Sequence, residues 1–171
     1  MTPELSGAVH LRPWSEDDLD LLTRLLGDPK MMIHLGGPET SEQIAARHVR
    51  YLAMQDQDRG EMFVMVLANL AVGSIGYWLA EGQGEPIWET GWSVVPEAQG
   101  RGVAKAGVQA LLERLRTVPS VPALHAYPHV DNVPSNGLCR TLGFTLLAEI
   151  QFEYPKGHLM PCNDWVIHLK S

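Results

Sequence analysis

Val94-Val95-Pro96-Glu97-Ala98-Gln99-Gly100-Arg101-Gly102-Val103-Ala104 joins two different hydrophobic patterns. Before it, Ile87 to Val95 is apolar, β-branched or aromatic at most positions, which predicts a strand. Pro96 ends that strand because it has no N–H for a ladder. After it, Val103, Ala104, Gly107, Val108, Leu111, Leu112 and Leu115 recur at steps of three and four, which predicts a helix. The first backbone N–H groups of a helix have no internal acceptor. Gly100 and Gly102 let a ligand approach them with no Cβ in the way. Free amides at the positive end of a helix dipole favour an anion, phosphate above all. Arg101 and Lys105 add two full charges.

Two common phosphate motifs do not fit. A nucleotide P-loop needs Gly-Lys-Ser/Thr, and here the helix opens Gly102-Val103-Ala104. A dinucleotide fingerprint needs a third glycine where Lys105 stands.

The rest of the chain predicts a mixed α/β domain spanning residues 1–171. Val9 to Trp14 reads as a strand, and Ser15 caps a helix with Leu19, Leu22, Leu25 and Leu26 inward. Lys30 to Glu39 is an apolar, glycine-broken connection. Thr40 or Ser41 caps a second helix with Ile44, Ala45, His48, Tyr51 and Leu52 inward. Met62 to Leu67 and Val72 to Leu79 form a hairpin, in which Gly73 and Gly76 mark close packing or a bulge. Glu81 to Pro86 reads as a loop before the Ile87 strand. Ala123 to Val130 is a fifth strand and the Asn132 region starts a short helix. Phe144 to Ile150 and Cys162 to Leu169 are the last two strands.

Composition narrows the function classes. The 171 residues are 45% hydrophobic and 19% charged, as in a globular domain. The net charge of −7 argues against non-specific nucleic-acid binding and against an anionic membrane surface. No apolar run reaches a membrane span, and Met1-Thr2-Pro3-Glu4 lacks the pattern of a signal peptide. Cys139 and Cys162 suggest no disulfide frame, so a cytoplasmic setting is expected. His158, Cys162 and Asp164 are too irregularly spaced to predict a metal site. The glycine turn and its helix are locally basic within this acidic chain, which suits an anionic ligand, and the acidic remainder suits a cationic acceptor.

Four motifs in order then give the chain a resemblance. Gln99-Gly100-Arg101-Gly102-Val103-Ala104 resembles the pyrophosphate loop Gln/Arg-x-x-Gly-x-Gly/Ala of the GCN5-related N-acetyltransferase (GNAT) family. Asn132-x-x-Ser135 with Leu142-Gly143-Phe144 resembles its second cofactor motif. Glu89-Thr90-Gly91-Trp92 is similar to its Glu-x-Gly-aromatic strand. Leu11-Arg12-Pro13-Trp14 with Asp17-Asp18 is similar to the opening of the ribosomal-protein acetyltransferase branch.

This resemblance implies a mostly antiparallel sheet of about seven strands, splayed between the fourth and fifth and flanked by about four helices. It implies acetyl-CoA as cosubstrate, no metal, and an amine acceptor that is a protein N-terminus or a small molecule. A homodimer is compatible with it. Gln99, Gly100, Arg101, Gly102, Val103 and Ala104 would bind the pyrophosphate. Backbone groups of Ser93, Val94 and Val95 would pair with the pantetheine arm, with a bulge at Gly91 opening the sheet. Asn132 would hold a pantetheine amide. Glu89 is the candidate base, Val94 N–H the oxyanion donor, and Ser135 the donor to the leaving thiolate. Many relatives carry Tyr where this chain has Cys139, so a tyrosine acid is not expected, and Cys139 reads as a small core residue. That departure motivates the alternative of a non-catalytic CoA sensor. Glu89 also admits a purely structural reading, and His129, at the end of the fifth strand, reads as a second base, an acceptor contact or a surface-loop residue.

Overall fold

The computed structural model describes residues 7–82 and 84–170. The N-terminal stretch read for a leader, Met1 to Glu4, lies outside them. Among these residues seven strands form one sheet in the order β1-β2-β3-β4-β5-β7-β6. They are β1 (His10–Pro13), β2 (Gly60–Leu67), β3 (Leu70–Gly82), β4 (Glu85–Val94), β5 (Ala123–Ala126), β6 (Thr145–Glu153) and β7 (Leu159–His168). The α-helices are α1 (Leu19–Leu26), α2 (Ser41–Met54), α3 (Val103–Leu115) and α4 (Val133–Thr141). Every pairing is antiparallel except β4 with β5. This is the expected GNAT architecture.

Local signals set the element starts. The Ser15 hydroxyl accepts from the Asp17 N–H, and the Asp18 carboxylate reaches back to the Ser15 amide at 2.7 Å. Asp18 is buried and takes a two-pronged grip from Arg12, both contacts 2.8 Å. Thr40 and Gln43 form a reciprocal capping box at the start of α2. The buried stripe of α1 is Leu21, Leu22 and Leu25, whereas Leu19 is exposed. The helix proper begins at Leu19 after a 3-10 turn, which rotates its inward face from the one counted from Ser15. In α2, Ile44 and His48 face inward but Ala45 is exposed. His48 accepts a hydrogen bond from the Trp14 indole at 3.0 Å.

Three features position the site. First, α3 lies close against the sheet: a Cβ on Gly107 would stand 2.3 Å from Met65 Sδ. Val103, Val108, Leu111, Leu112 and Leu115 bury the same face. Second, β4 and β5 pair at only two positions, Glu89 with His125 and Thr90 with Ala126. Beyond Thr90, β4 runs on to Val94 with an open side, so the sheet splays. Third, β5 ends at Ala126, earlier than the expected Val130. Pro128 therefore lies outside the strand, where its missing N–H costs no ladder bond, and its carbonyl accepts from Asn163 at 2.9 Å.

Two other expectations change. The β3 and β4 strands run on to Gly82 and start again at Glu85, so most of the expected loop from Glu81 is ladder. Gly91 makes no bulge, since the β3–β4 register is continuous from Gly73 with Val94 to Gly82 with Glu85. Gly91 instead seats an aromatic ring: its absent Cβ would stand 3.0 Å from Trp78 Cη2. A register shift does occur beside Gly73, between Met65 and Val66 on β2. Both Gly73 and Gly76 are places of close approach, to the Ser93 carbonyl and to Met62.

Candidate active site

The glycine turn has the form of an anion cradle. Gly100 and Gly102 have φ of 73° and 75°, the left-handed region that glycine occupies without strain. A Cβ on either would meet nothing within 4 Å, so the space beside them is open. The first backbone bond of α3 runs from Ala106 N–H to Gly102 O. Among the described residues, the N–H groups of residues 100–105 have no acceptor. Arg101 and Lys105 are exposed beside them, and no acidic residue stands in the first turn. Amides, dipole and charge all suit a diphosphate.

Strand alternation decides which β4 groups face the gap. Val95 N–H bonds Val72 O at 2.9 Å, on the β3 side, and Val95 O accepts from Ala98 N–H at 3.0 Å. Neither group of Val95 is left for a ligand. Ser93 pairs with Ser74 and shares the Val95 direction. Val94 points the other way, into the gap, and so does Trp92. The Val94 carbonyl accepts from Gln99 Nε2 at 2.9 Å, leaving its N–H toward the opening. Gln99 Nε2 also lies 3.3 Å from Met31 Sδ. This side chain therefore ties the 30–39 connection to the strand end instead of reaching outward.

Glu89 sits where the sheet opens. Its cross-strand neighbours are Trp78 on β3 and His125 on β5, all on one sheet face. The Trp78 indole donates to Glu89 Oε2 at 3.1 Å. Burial pushes the Glu89 carboxyl up to about 7, and the Trp78 bond only partly opposes this. Asp164 is buried on β7 and its Oδ1 lies 2.8 Å from His125 Nδ1. His125 stacks on Tyr127, which stacks on Phe152 at 4.9 Å between centroids. The His125–Asp164 pair is a site feature that the sequence reading missed. Nothing in an isolated β5 reveals that its parity puts His125 beside Glu89.

Asn132 and Ser135 lie at the start of α4. Asn132 Oδ1 caps the helix by accepting from Ser135 N–H at 3.2 Å. The following residue carries more of the structure. Asn136 is buried, donates to the carbonyls of His129 and Asn132, and accepts from Asn163 and the Trp165 indole. Cys139 is fully buried, and burial pushes its thiol up to about 12. His129 stacks on His34 with centroids 5.0 Å apart, so the 30–39 connection also touches this bank of the gap. Cys162 and Asp164 are both on β7 while His158 lies in the turn before it; among the described residues no three His, Cys, Asp or Glu side chains form a metal-holding group.

The Acetyltransferase (GNAT) domain family matches residues 8–145. The chain belongs to this family. Acetyl-CoA is the family's cosubstrate, and the open amide cradle on the glycine turn fits its diphosphate. The GNAT chain is similar to the ribosomal L7/L12 alpha-N-protein acetyltransferase RimL in complex with coenzyme A, at 18% identity, TM-score 0.78 and 96% coverage of each chain. It is similar to the Salmonella typhimurium acetyltransferase that modifies the N-terminal serine of L7/L12, at 18% identity, TM-score 0.79 and 96% coverage of each chain. It is also similar to the aminoglycoside acetyltransferase AAC(6')-Ib with coenzyme A, at 20% identity, TM-score 0.76, covering 94% of this chain and 95% of that one. No curated protein sequence matches. No helix among the described residues is long and apolar enough to cross a membrane.

Proposed function

We propose that this GNAT domain moves an acetyl group from acetyl-CoA to a primary amine by direct attack, with Glu89 as the base. The acceptor is a protein N-terminus or a small-molecule amine. The observation that carries the reading is the position of Glu89. A half-buried carboxylate with its pKa raised to about 7 stands at the point where β4 parts from β5, on the strand that leads to the diphosphate cradle.

Acetyl-CoA supplies an activated thioester. The chain's own residues do the rest. An alkylamine has a pKa of about 10.4, so it arrives protonated at neutral pH. Glu89 takes that proton, directly or through a water, and the freed nitrogen lone pair forms the new C–N bond as the C–S bond breaks. A base with a pKa near the working pH combines a large ionised fraction with useful strength. The amides of residues 100–105 hold the diphosphate. Val94 N–H, aimed into the gap, donates to the thioester oxygen. Asn132 is left one amide N–H pair for pantetheine while its oxygen caps α4. The second proton of the attacking nitrogen passes to the departing thiolate with Ser135 as donor, and an intrinsic thiol pKa of about 8.5 demands little help.

The test is thiol release from acetyl-CoA over a panel of peptide N-termini, amino acids, polyamines and aminoglycosides. Release with at least one amine, lost in Glu89→Gln while acetyl-CoA binding persists, is the expected result. Tight cofactor binding with no release from any acceptor would instead favour a CoA sensor.

A further inference from the structure

A cavity of about 400 Å³ lies between α2 and β3, and apart from Trp78 its lining takes no part in the site described above. Its apolar walls include Tyr51, Met54, Leu79 and Trp78. Among the described residues its charged lining is three arginines, Arg47, Arg50 and Arg59, with no carboxylate. That is unexpected in a chain of net charge −7. Arg47 is already neutralised: Glu39 takes both its Nε and Nη2, the shortest contact being 2.6 Å. Among the described residues Arg50 and Arg59 form no ion pair.

The cavity shares one wall with the proposed acetylation site and reaches the β6–β7 turn at its other side. Trp78 is one of its walls, and the indole N–H of that same side chain holds Glu89 at 3.1 Å. Arg47 Nη2 donates to the Tyr154 hydroxyl at 2.7 Å, and the Arg50 charge also acts on that phenol. Trp78 thus carries the cavity wall to the base, and Arg47 and Arg50 carry its cationic side to the turn between β6 and β7.

We propose that this cavity receives an acidic side chain of a polypeptide acceptor, a few residues after the amine that is acetylated. The inference rests on the acetyl-transfer reading for the position of the amine. Guanidinium groups pair with carboxylates through two parallel bonds, and the apolar walls strengthen that pairing. An extended peptide advances about 3.3 Å per residue. With its N-terminus at Glu89, its third to fifth residues pass Trp78 into the arginine-lined space. A polycationic small molecule presents ammonium groups to Arg50 and Arg59 instead and is repelled.

The test uses hexapeptides with a free N-terminal serine and with glutamate, alanine or lysine at positions three to five. Binding to the CoA-loaded protein is read by fluorescence anisotropy, and turnover by thiol release. The wild type should bind the glutamate peptide about tenfold more tightly than the lysine peptide, as two partly exposed ion pairs allow. The preference should shrink in about 0.5 M salt. The R50E/R59E double variant, with an unchanged melting curve, should reverse the order. Equal binding of the three peptides, or an unchanged order in R50E/R59E, overturns the proposal. A glutamate preference in binding without thiol release from any amine supports this inference and removes the acetyl-transfer reading.

Discussion

The Trp78 indole and the Glu89 carboxylate are cross-strand neighbours joined by a 3.1 Å hydrogen bond, and the ring lies over Gly91 where no Cβ intervenes. The carboxylate is thereby fixed at the opening of the sheet while staying short of water. Burial raises its pKa to about 7, and the indole bond restrains the rise.

The pH dependence follows from that balance. As the proposed base, Glu89 would react in its ionised form, so kcat/KM should climb as pH rises through about 7 and then level off. Trp78→Phe removes a bond that lowers the pKa, so its ascending limb should move to higher pH. A limb at the same pH in both proteins would separate Trp78 from the base.

Glu89→Gln should reduce turnover by about 10²–10⁴-fold and leave acetyl-CoA affinity unchanged. It should also alter stability in a pH-dependent way. The folded-state pKa lies above the unfolded one, so the stability tied to protonated Glu89 is complete below the unfolded value, about 4.3, and is lost as pH rises through about 7. The variant should therefore melt above the wild type at pH 8, and this advantage should vanish near pH 4. Differential scanning calorimetry at both pH values checks the sign.

Gly102→Asp tests the diphosphate cradle without destroying the turn. Asp tolerates the left-handed backbone better than most residues, and no atom lies within 4 Å of the new Cβ. Its charge would face the diphosphate at the helix start. Acetyl-CoA affinity, measured by calorimetric titration, should fall by well over about tenfold, the factor that 1.4 kcal/mol represents. Unchanged affinity would place the cofactor elsewhere.

Asn136→Ala should cost about 1–3 kcal/mol, because it strands the Trp165 indole and the Asn163 amide without their acceptor. Urea unfolding of the apoprotein measures this directly. Restoration of stability by Gln is not expected, since the longer side chain cannot satisfy four partners in a packed space.

Cys139→Ala should leave turnover nearly intact. The thiol is fully buried and its pKa is pushed up to about 12, so it has no path to the leaving group. A loss on the scale of general acid catalysis, about 10²-fold or more, would return it to the mechanism.

Much of this was legible in the sequence because it depends on local chemistry. Pro96, Gly100 and Gly102 fix a turn by their own backbone preferences, and the 3.6 period of Val103 to Leu115 needs no distant partner. Parity was the hidden variable. A strand sequence states alternation but not which residues face which neighbour, so sequence alone groups Val95 with Val94 although its N–H belongs to Val72. The same blindness concealed the His125–Asp164 pair, whose members are 39 residues apart and meet only through β5–β7 register. Gly91 suggests a bulge from sequence because glycine in a strand signals either a bulge or a close approach. Only Trp78, arriving from β3, decides between them. Asn136 went unnoticed because a single amide in an amphipathic helix looks like any solvent-facing residue until its four bonds are counted.

The two residue pairs that join β4 to β5 include Glu89 itself, so it stands at the only rungs between these strands among the described residues. With the proposed base on these last rungs, a donor lying in the slot beyond Thr90 and an acceptor at Glu89 would meet at one seam of the sheet.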